Sequence, residues 1–323
     1  MRAAVYRRTG DAADVLSIEE IETPAPGPGQ VRVRVSLSGV NPTDWKTRSG
    51  LTGSPPSGLQ VPHHDGAGVV DAVGAGVTDR SVGQRVWCYL AAAGNPYGTA
   101  AEYCVVPAER TVPLPDGASD ELGACLGVPA LTAAHCLGGR PGDLAEATVL
   151  VAGGAGAVGH FAIELAKHAG ARVLATVSTE EKAALARAAG ADLVFSYREP
   201  GAVERIRSAA SRVDRIVEVA LGANLDLDLA VSGYGTVIVV YASEASDPVV
   251  PTRRCMNANA TLRYVLLYGV PAEEIAQAAA WTSAALAQGA LSALPIHRFP
   301  LEEVAAAQDA VEAGALGKVV VVP

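Results

Sequence analysis

The stretch Thr148-Val149-Leu150-Val151-Ala152-Gly153-Gly154-Ala155-Gly156-Ala157-Val158-Gly159-His160-Phe161-Ala162-Ile163-Glu164-Leu165-Ala166 decides the fold. A short apolar run with β-branched residues comes first. Gly154, Gly156 and Gly159 follow at G-x-G-x-x-G spacing, and Val158, Ala162, Leu165, Ala166 and Ala169 then recur at helical intervals. Strand, tight turn and helix in that order are the context a dinucleotide fingerprint requires. In this reading Gly154 frees the turn, Gly156 lets the backbone approach a pyrophosphate, and Gly159 lets helix and strand pack closely. The helix start offers unpaired N–H groups and a positive dipole end to the phosphates. In a chain this rich in Ala and Gly the spacing alone also suits an ordinary small-residue loop. The flanking strand and helix favour the fingerprint.

Outward from this stretch the chain reads as α/β. From Thr148 onward strand and helix alternate, with strands expected at Thr148–Ala152, Arg172–Val177, Leu193–Ser196, 215–219, 235–240 and 262–267, and helices at 180–189 and 202–210. This rhythm predicts a Rossmann-type doubly wound parallel sheet. Upstream, Val31, Val33, Val35 and Leu37 alternate with Arg32, Arg34 and Ser36, the pattern of a strand with one buried face. Further short strands are expected at 69–73, 85–89 and 101–106, between Gly/Pro-rich turns such as 50–58. Together they predict a barrel-like β domain. A mostly apolar segment, 121–137, reads as helix in pieces around Pro129. After the sheet come helices at Ala272–Ala287 and 301–312 and a last strand at Lys318–Val322, which returns to the first domain. The expected division is 1–121, completed by 270–323, and 122–269.

Composition bounds the function. The 323 residues are 50% hydrophobic and carry a formal net charge of -9, with a pI of about 5.2. An acidic chain without basic patches argues against nucleic acid and anionic membrane surfaces as partners. The five cysteines, Cys88, Cys104, Cys125, Cys136 and Cys255, show no C-x-x-C pair and suggest free thiols in a reducing compartment. The N-terminal residues carry no apolar signal region and the longest apolar run is the glycine stretch itself, so a cytoplasmic location is expected.

The cofactor type follows from the second strand. NAD-binding chains place Asp or Glu about 20 residues past the glycines, on the ribose 2′-hydroxyl. Here the strand tip is Ala175-Thr176-Val177-Ser178-Thr179, with Lys182 one helical turn later. An uncharged tip beside a cation suits a 2′-phosphate, hence NADPH. Glu180 and Glu181 count against this unless they only open the helix as N-terminal acids. Lys182 can equally be a solvated helix residue.

With these features in view the chain resembles the medium-chain dehydrogenase/reductase superfamily, and within it the zinc-free, ζ-crystallin-like quinone oxidoreductase branch. The resemblance covers essentially the whole chain. It is carried by Gly39-Val40-Asn41-Pro42-Thr43-Asp44-Trp45-Lys46-Thr47-Arg48-Ser49-Gly50, Gly83-Gln84-Arg85-Val86, Pro129-Ala130-Leu131-Thr132-Ala133, the glycine stretch, Ser196-Tyr197-Arg198-Glu199 and Gly317-Lys318-Val319-Val320. It implies a GroES-like catalytic domain beside the Rossmann domain, and a homodimer joined through the edge strand at 262–267. It also implies cofactor contacts. Ala155, Gly156, Ala157 and Val158 match the pyrophosphate loop. Lys182 and Tyr197 match 2′-phosphate positions, with Ser178 standing where relatives carry Gly. Asn224 matches a ribose contact. Tyr241 and Ala242 match a loop after the fifth strand, where Tyr replaces Gly. Leu266, Leu267 and Tyr268 match the segment beside the nicotinamide, and Asn41 and Thr132 match positions near its ring. Lys318 is counted with the cofactor contacts.

Zinc-dependent members of the superfamily use a Cys, a Gly-His-Glu and a later Cys or Asp. Here Asn41 takes the first position, His63-His64-Asp65-Gly66 the second, and Leu126 the third, one residue off Cys125. The stretch 91–97 lacks the cysteines of a structural zinc lobe. A catalytic zinc needs three protein ligands, so no metal is expected. No G-x-S-x-G elbow or H-E-x-x-H helix is present either. The expected activity is NADPH-dependent hydride transfer to a quinone or another α,β-unsaturated carbonyl. Alternatives are an enoyl-thioester or polyketide-tailoring reductase, and a NADPH-binding protein with little turnover. Lys46 and Asn41 are the catalytic candidates, with Lys46 as donor to the acceptor oxygen unless it only pairs with Asp44. His63, His64 and Tyr241 line the substrate cleft in this reading. The two histidines can instead be a hydrogen-bonded pair in a loop beside Pro62.

Overall fold

The computed structural model describes every residue except Ser54, which falls in the turn-rich 50–58 stretch, and Ala245. The chain divides into two compact units, 1–128 with 293–323, and 129–292.

The first unit opens with β1 (Arg2–Val5), α1 (Ala12–Val15) and β2 (Ser17–Glu20), β1 and β2 forming an antiparallel pair. Next come β3 (Gln30–Gly39), α2 (Pro42–Ser49), β4 (Asp65–Val73), β5 (Arg85–Cys88), β6 (Tyr103–Pro107), β7 (Thr111–Pro113) and the first half of α3 (Asp120–Cys136). β3 organises this unit. Its first half pairs antiparallel with β6 and its length with β4. Val31, Val33 and Val35 point into a core with Val70, Val86, Cys88, Cys104 and Val106, as the alternation requires. The stretch after β3, for which the sequence reading placed no helix, is helical. Pro42 sits in the first turn of α2, where its missing N–H costs nothing.

α3 is continuous through Pro129, not broken there. The N–H of Val128 turns to the Asp65 carboxylate at 2.8 Å, so the helix ladder already has an outside partner at the point where proline lacks a donor.

The second unit holds β8 (Thr148–Ala152), α4 (Ala157–His168), β9 (Arg172–Val177), α5 (Glu180–Ala188), β10 (Leu193–Ser196), α6 (Ala202–Ala209), β11 (Val213–Glu218), α7 (Leu221–Val231), β12 (Ser232–Val240), α8 (Thr252–Ala258), β13 (Thr261–Tyr264) and α9 (Ala272–Ala287). The six strands are parallel, in the order β10-β9-β8-β11-β12-β13. α4, α5 and α9 pack together, as do α6, α7 and α8. The Rossmann expectation is met. β8 reads as an unbroken apolar run because it is covered on both faces.

The return to the first unit comes at 293, later than the 270 read from the sequence. α9 packs on α4, and Ser292 donates its N–H to the Glu164 carboxylate at 3.1 Å, which keeps this segment with the parallel sheet. β14 (Ile296–Pro300), α10 (Val304–Glu312) and β15 (Lys318–Val322) then complete the first unit, β15 pairing antiparallel with the end of β3.

Candidate active site

In the second unit the glycine loop links β8 to α4. The left-handed residue is Gly153, with φ 66°, not Gly154. Gly154 is small for a different reason: a Cβ there would lie 2.9 Å from Cβ of Ala175 on β9. Gly159 closes the helix onto the loop, where a Cβ would lie 2.4 Å from the Gly153 carbonyl oxygen. Gly156 is the N-cap of α4, and no side chain caps that helix or places an acid in its first turn. A Cβ on Gly156 would meet only the Gly153 oxygen, at 3.4 Å. The helix start therefore has the open, uncapped form that suits a phosphate. Ala155 is buried beneath it, and Ala157 and Val158 form the first turn.

At the tip of β9, Ser178 is half-buried and Thr179 caps α5 by accepting the Lys182 N–H at 3.3 Å. Tyr197 follows β10, 45% exposed, its N–H bonded to the Val177 carbonyl at 3.2 Å. Ser178, Lys182 and Tyr197 thus gather at the carboxyl ends of β9 and β10. Glu180 is bonded to Arg187 at 2.5 Å, which offsets its charge there. Glu218 ends β11, buried, and accepts the Asn224 amide of α7 at 2.9 Å. Tyr241 follows β12, and its N–H donates to the Glu218 carbonyl at 3.1 Å. Burial, with Cys136 and Glu218 nearby, pushes its phenol far up, so it stays neutral. Ala242 is half-buried beside it, Leu266 is exposed, Leu267 and Thr132 are buried, and Tyr268 is half-buried.

The first unit holds a buried polar cluster. Asn41, at the start of α2, is its centre. Its Nδ2 donates to Asp65 Oδ2 at 2.6 Å, its Oδ1 accepts from Lys318 Nζ at 2.5 Å, and its backbone N–H donates to Asp44 Oδ2 at 2.7 Å. Lys318 is 3% exposed and lies 3.9 Å from Asp65. Burial raises Asp65 to about 6, while Lys318, Asn41 and the Val128 N–H pull it down. Burial raises Asp44 to about 8; the N–H of Asn41 opposes this and the charge of Asp65 adds to it.

His63 does not line open space. Its φ is 76° and its ring is enclosed. Nε2 accepts from Gln308 Nε2 at 3.2 Å, so Nδ1 carries the proton and donates to Ser38 Oγ at 2.9 Å. Ser38 passes its own proton to Thr99 Oγ1 at 2.7 Å, and Thr99 donates to the Asp65 carbonyl at 2.6 Å. The chain fixes one neutral tautomer. Burial lowers His63 to about 3 and His64 to about 4. Both rings are buried, that of His63 within this hydrogen-bonded chain. Lys46 is half-buried on α2, its Nζ 5.9 Å from the Trp45 ring centroid. Asp44 directs its carboxylate at the backbone of Asn41 and His64.

Lys318 thus belongs to the buried cluster with Asn41 and Asp65. The partners Ser38, Thr99 and Gln308, and the Glu218–Asn224 bond, escaped the sequence reading. The available signal was polar residues on otherwise apolar strands. Burial also raises the Cys125 thiol to about 12, which leaves it protonated. Among the described residues no three His, Cys, Asp or Glu side chains are grouped to hold a metal.

Residues 27–116 match the alcohol dehydrogenase GroES-like domain, and residues 157–284 match the zinc-binding dehydrogenase family. A quinone oxidoreductase of Rattus norvegicus is 31% identical over 312 residues, 95% of this chain and 93% of its own length. A mycobacterial quinone oxidoreductase structure aligns over 100% of both chains at 32% identity and TM-score 0.86. A mycobacterial protein solved in complex with NADPH aligns over 100% of both chains at 32% identity and TM-score 0.85. The chain belongs to the quinone oxidoreductase family of the medium-chain dehydrogenase/reductase superfamily.

Proposed function

We propose that the protein is an NADPH-dependent oxidoreductase that reduces quinones or other α,β-unsaturated carbonyls without zinc. The observation that carries the reading is the arrangement at the carboxyl ends of the parallel strands. An uncapped helix start over an open Gly156 suits the pyrophosphate, and an acid-free β9 tip beside Lys182 and Tyr197 suits a 2′-phosphate. A relative solved with NADPH supports the same cofactor. When bound, NADPH supplies a hydride to an electrophilic carbon of the acceptor.

The residues of this chain bind, orient and stabilise charge. Lys182 and Tyr197 hold the 2′-phosphate, and the first turn of α4 holds the pyrophosphate. Thr132 is assigned to the nicotinamide end, with Tyr241, Ala242, Leu266, Leu267 and Tyr268. As negative charge grows on the acceptor oxygen, Lys46 is the proposed cationic donor. Zinc independence rests on donor chemistry. Where a metal ligand would stand, both amide atoms of Asn41 are taken by Lys318 and Asp65, and the buried positive charge is an ammonium.

The test is a set of steady-state rates with benzoquinone, naphthoquinone, an aliphatic enone and an aldehyde, each with NADPH and with NADH. Faster turnover of quinone or enone with NADPH, and a lower kcat in Lys46→Met, is the expected result. Turnover of the aldehyde alone, or a preference for NADH, would overturn the reading.

A further inference from the structure

The sheet order reverses between β8 and β11, and in open α/β sheets ligands bind at such a switch point, beyond the carboxyl ends of the strands. The two strand ends adjoin here: a Cβ on Gly153, after β8, would lie 3.1 Å from Val219 Cγ1, after β11. Asn224, in the first turns of α7 and half-buried, is held at the carboxyl end of β11 by its bond to Glu218, the residue before Val219. Its amide is not free to choose an orientation. Glu218 Oε1 also accepts the N–H of Ala220, so it faces Asn224 as an acceptor, and the group turned to it at 2.9 Å is Nδ2. The carbonyl Oδ1 diverges from Nδ2 by about 120° in the planar amide and is turned away from Glu218.

We propose that Glu218 is a positioning residue for cofactor binding: by taking Nδ2 of Asn224 it commits Asn224 to presenting its carbonyl oxygen to a ribose hydroxyl of the dinucleotide. This rests on the dinucleotide reading given above.

Asp228 of α7 supports the arrangement from behind. Glu218 is fully buried and Asp228 is 1% exposed. Glu218 Oε2 and both Asp228 carboxylate oxygens are buried with no other partner among the described residues, and the two carboxyls interact. Two adjacent buried carboxyls do not both ionise, so they share one proton. Burial, the charge of Glu218 and the hydrogen bond between them push Asp228 well up. Oε1 of Glu218 accepts two N–H groups, which stabilise its charge, so Glu218 is the member of the pair that faces Asn224 as an acceptor.

A double-mutant cycle on the full-length protein tests this, read as the Kd of NADPH from nucleotide fluorescence and as kcat at saturating NADPH. Asn224→Ala and Glu218→Met each raise Kd about tenfold, the order of one lost hydrogen bond to a charged or buried partner. The double variant raises it by the same factor, because Glu218 acts only through Asn224. Glu218→Gln restores most of the affinity lost in Glu218→Met, since its Oε1 still accepts both N–H groups and its Nε2 can face Asp228. In all of these kcat moves by no more than about twofold, where a general structural defect would lower both.

A tenfold effect of Glu218→Met that persists in the Asn224→Ala background overturns the proposal. So does an Asn224→Ala protein with wild-type Kd. Should Glu218→Met not fold, Asn224→Asp carries the test: an aspartate there has no proton to give Glu218, and wild-type affinity would overturn the proposal. Wild-type protein that does not bind NADPH overturns the cofactor reading as well, whereas wild-type binding with an inert Asn224 overturns this proposal alone.

Discussion

At the scale of single residues, the buried cluster around Asn41 makes stability depend on pH. Asp44 ionises near 3.8 in an unfolded chain and at about 8 here. The stability it contributes is complete below the lower value and is lost as pH rises through about 8. Asp65, raised to about 6, behaves the same way over a narrower window. His63 and His64 act with opposite sign. Their folded values of about 3 and about 4 lie below the usual 6.5, so stability is present above 6.5 and lost as pH falls through their folded values. Between pH 4 and 6 these effects oppose one another. From 6.5 to 8 Asp44 alone of the four acts, and the unfolding free energy should fall by about 1.4 kcal/mol per pH unit. Urea titrations across that range should show a fall in the parent protein that is shallower by this amount in Asp44→Asn, the buried Asp228 contributing to what remains. An equal slope in both would remove Asp44 as its source. The sequence presented Asn41, His63, His64 and Asp65 as site residues, but it could not show that they face each other and Lys318. Those contacts join β3, α2, β4 and β15, which lie far apart along the chain.

At the scale of elements, the glycine loop separates two requirements that the fingerprint merges. Gly159→Ala drives a Cβ into the Gly153 carbonyl, so it should destabilise the fold by about 1–3 kcal/mol in denaturant titration. Gly156→Ala meets only an ordinary contact at a φ of -75° that alanine accepts. Its unfolding midpoint should stay within a few degrees of the parent, while its NADPH Kd rises about tenfold or more through crowding of the pyrophosphate. Unchanged NADPH affinity in Gly156→Ala would contradict the assignment of that helix start.

The parallel strands were legible because each is a short apolar run between helical segments. α7 was not. Its Leu225-Asp226-Leu227-Asp228-Leu229 alternates as a strand would, and its helical form places exposed Asp226 beside Arg254 and buries Asp228 beside Glu218. α2 was hidden for a related reason, since Asn-Pro followed by polar residues carries turn chemistry as readily as a helix start.

At the scale of the whole molecule, the two-domain α/β plan could be read from the change of rhythm near residue 120. The late return at 293 could not, because Ser292 is tied to Glu164 by contacts across more than a hundred residues. We infer a homodimer through β13, a terminal strand of the parallel sheet, where Tyr264 (63%) and, just past the strand, Leu266 (68%) are exposed. Light scattering should give twice the 32.9 kDa chain mass. A monomer at micromolar concentration would leave that edge without its proposed partner.

The central claim is metal-free hydride transfer from NADPH. Its most direct test is the rate of NADPH consumption with benzoquinone, using protein dialysed against a chelator and assayed for metal in the same sample. The account predicts an undiminished rate at negligible zinc content. A rate that falls with zinc removal and returns when zinc is added back would contradict it.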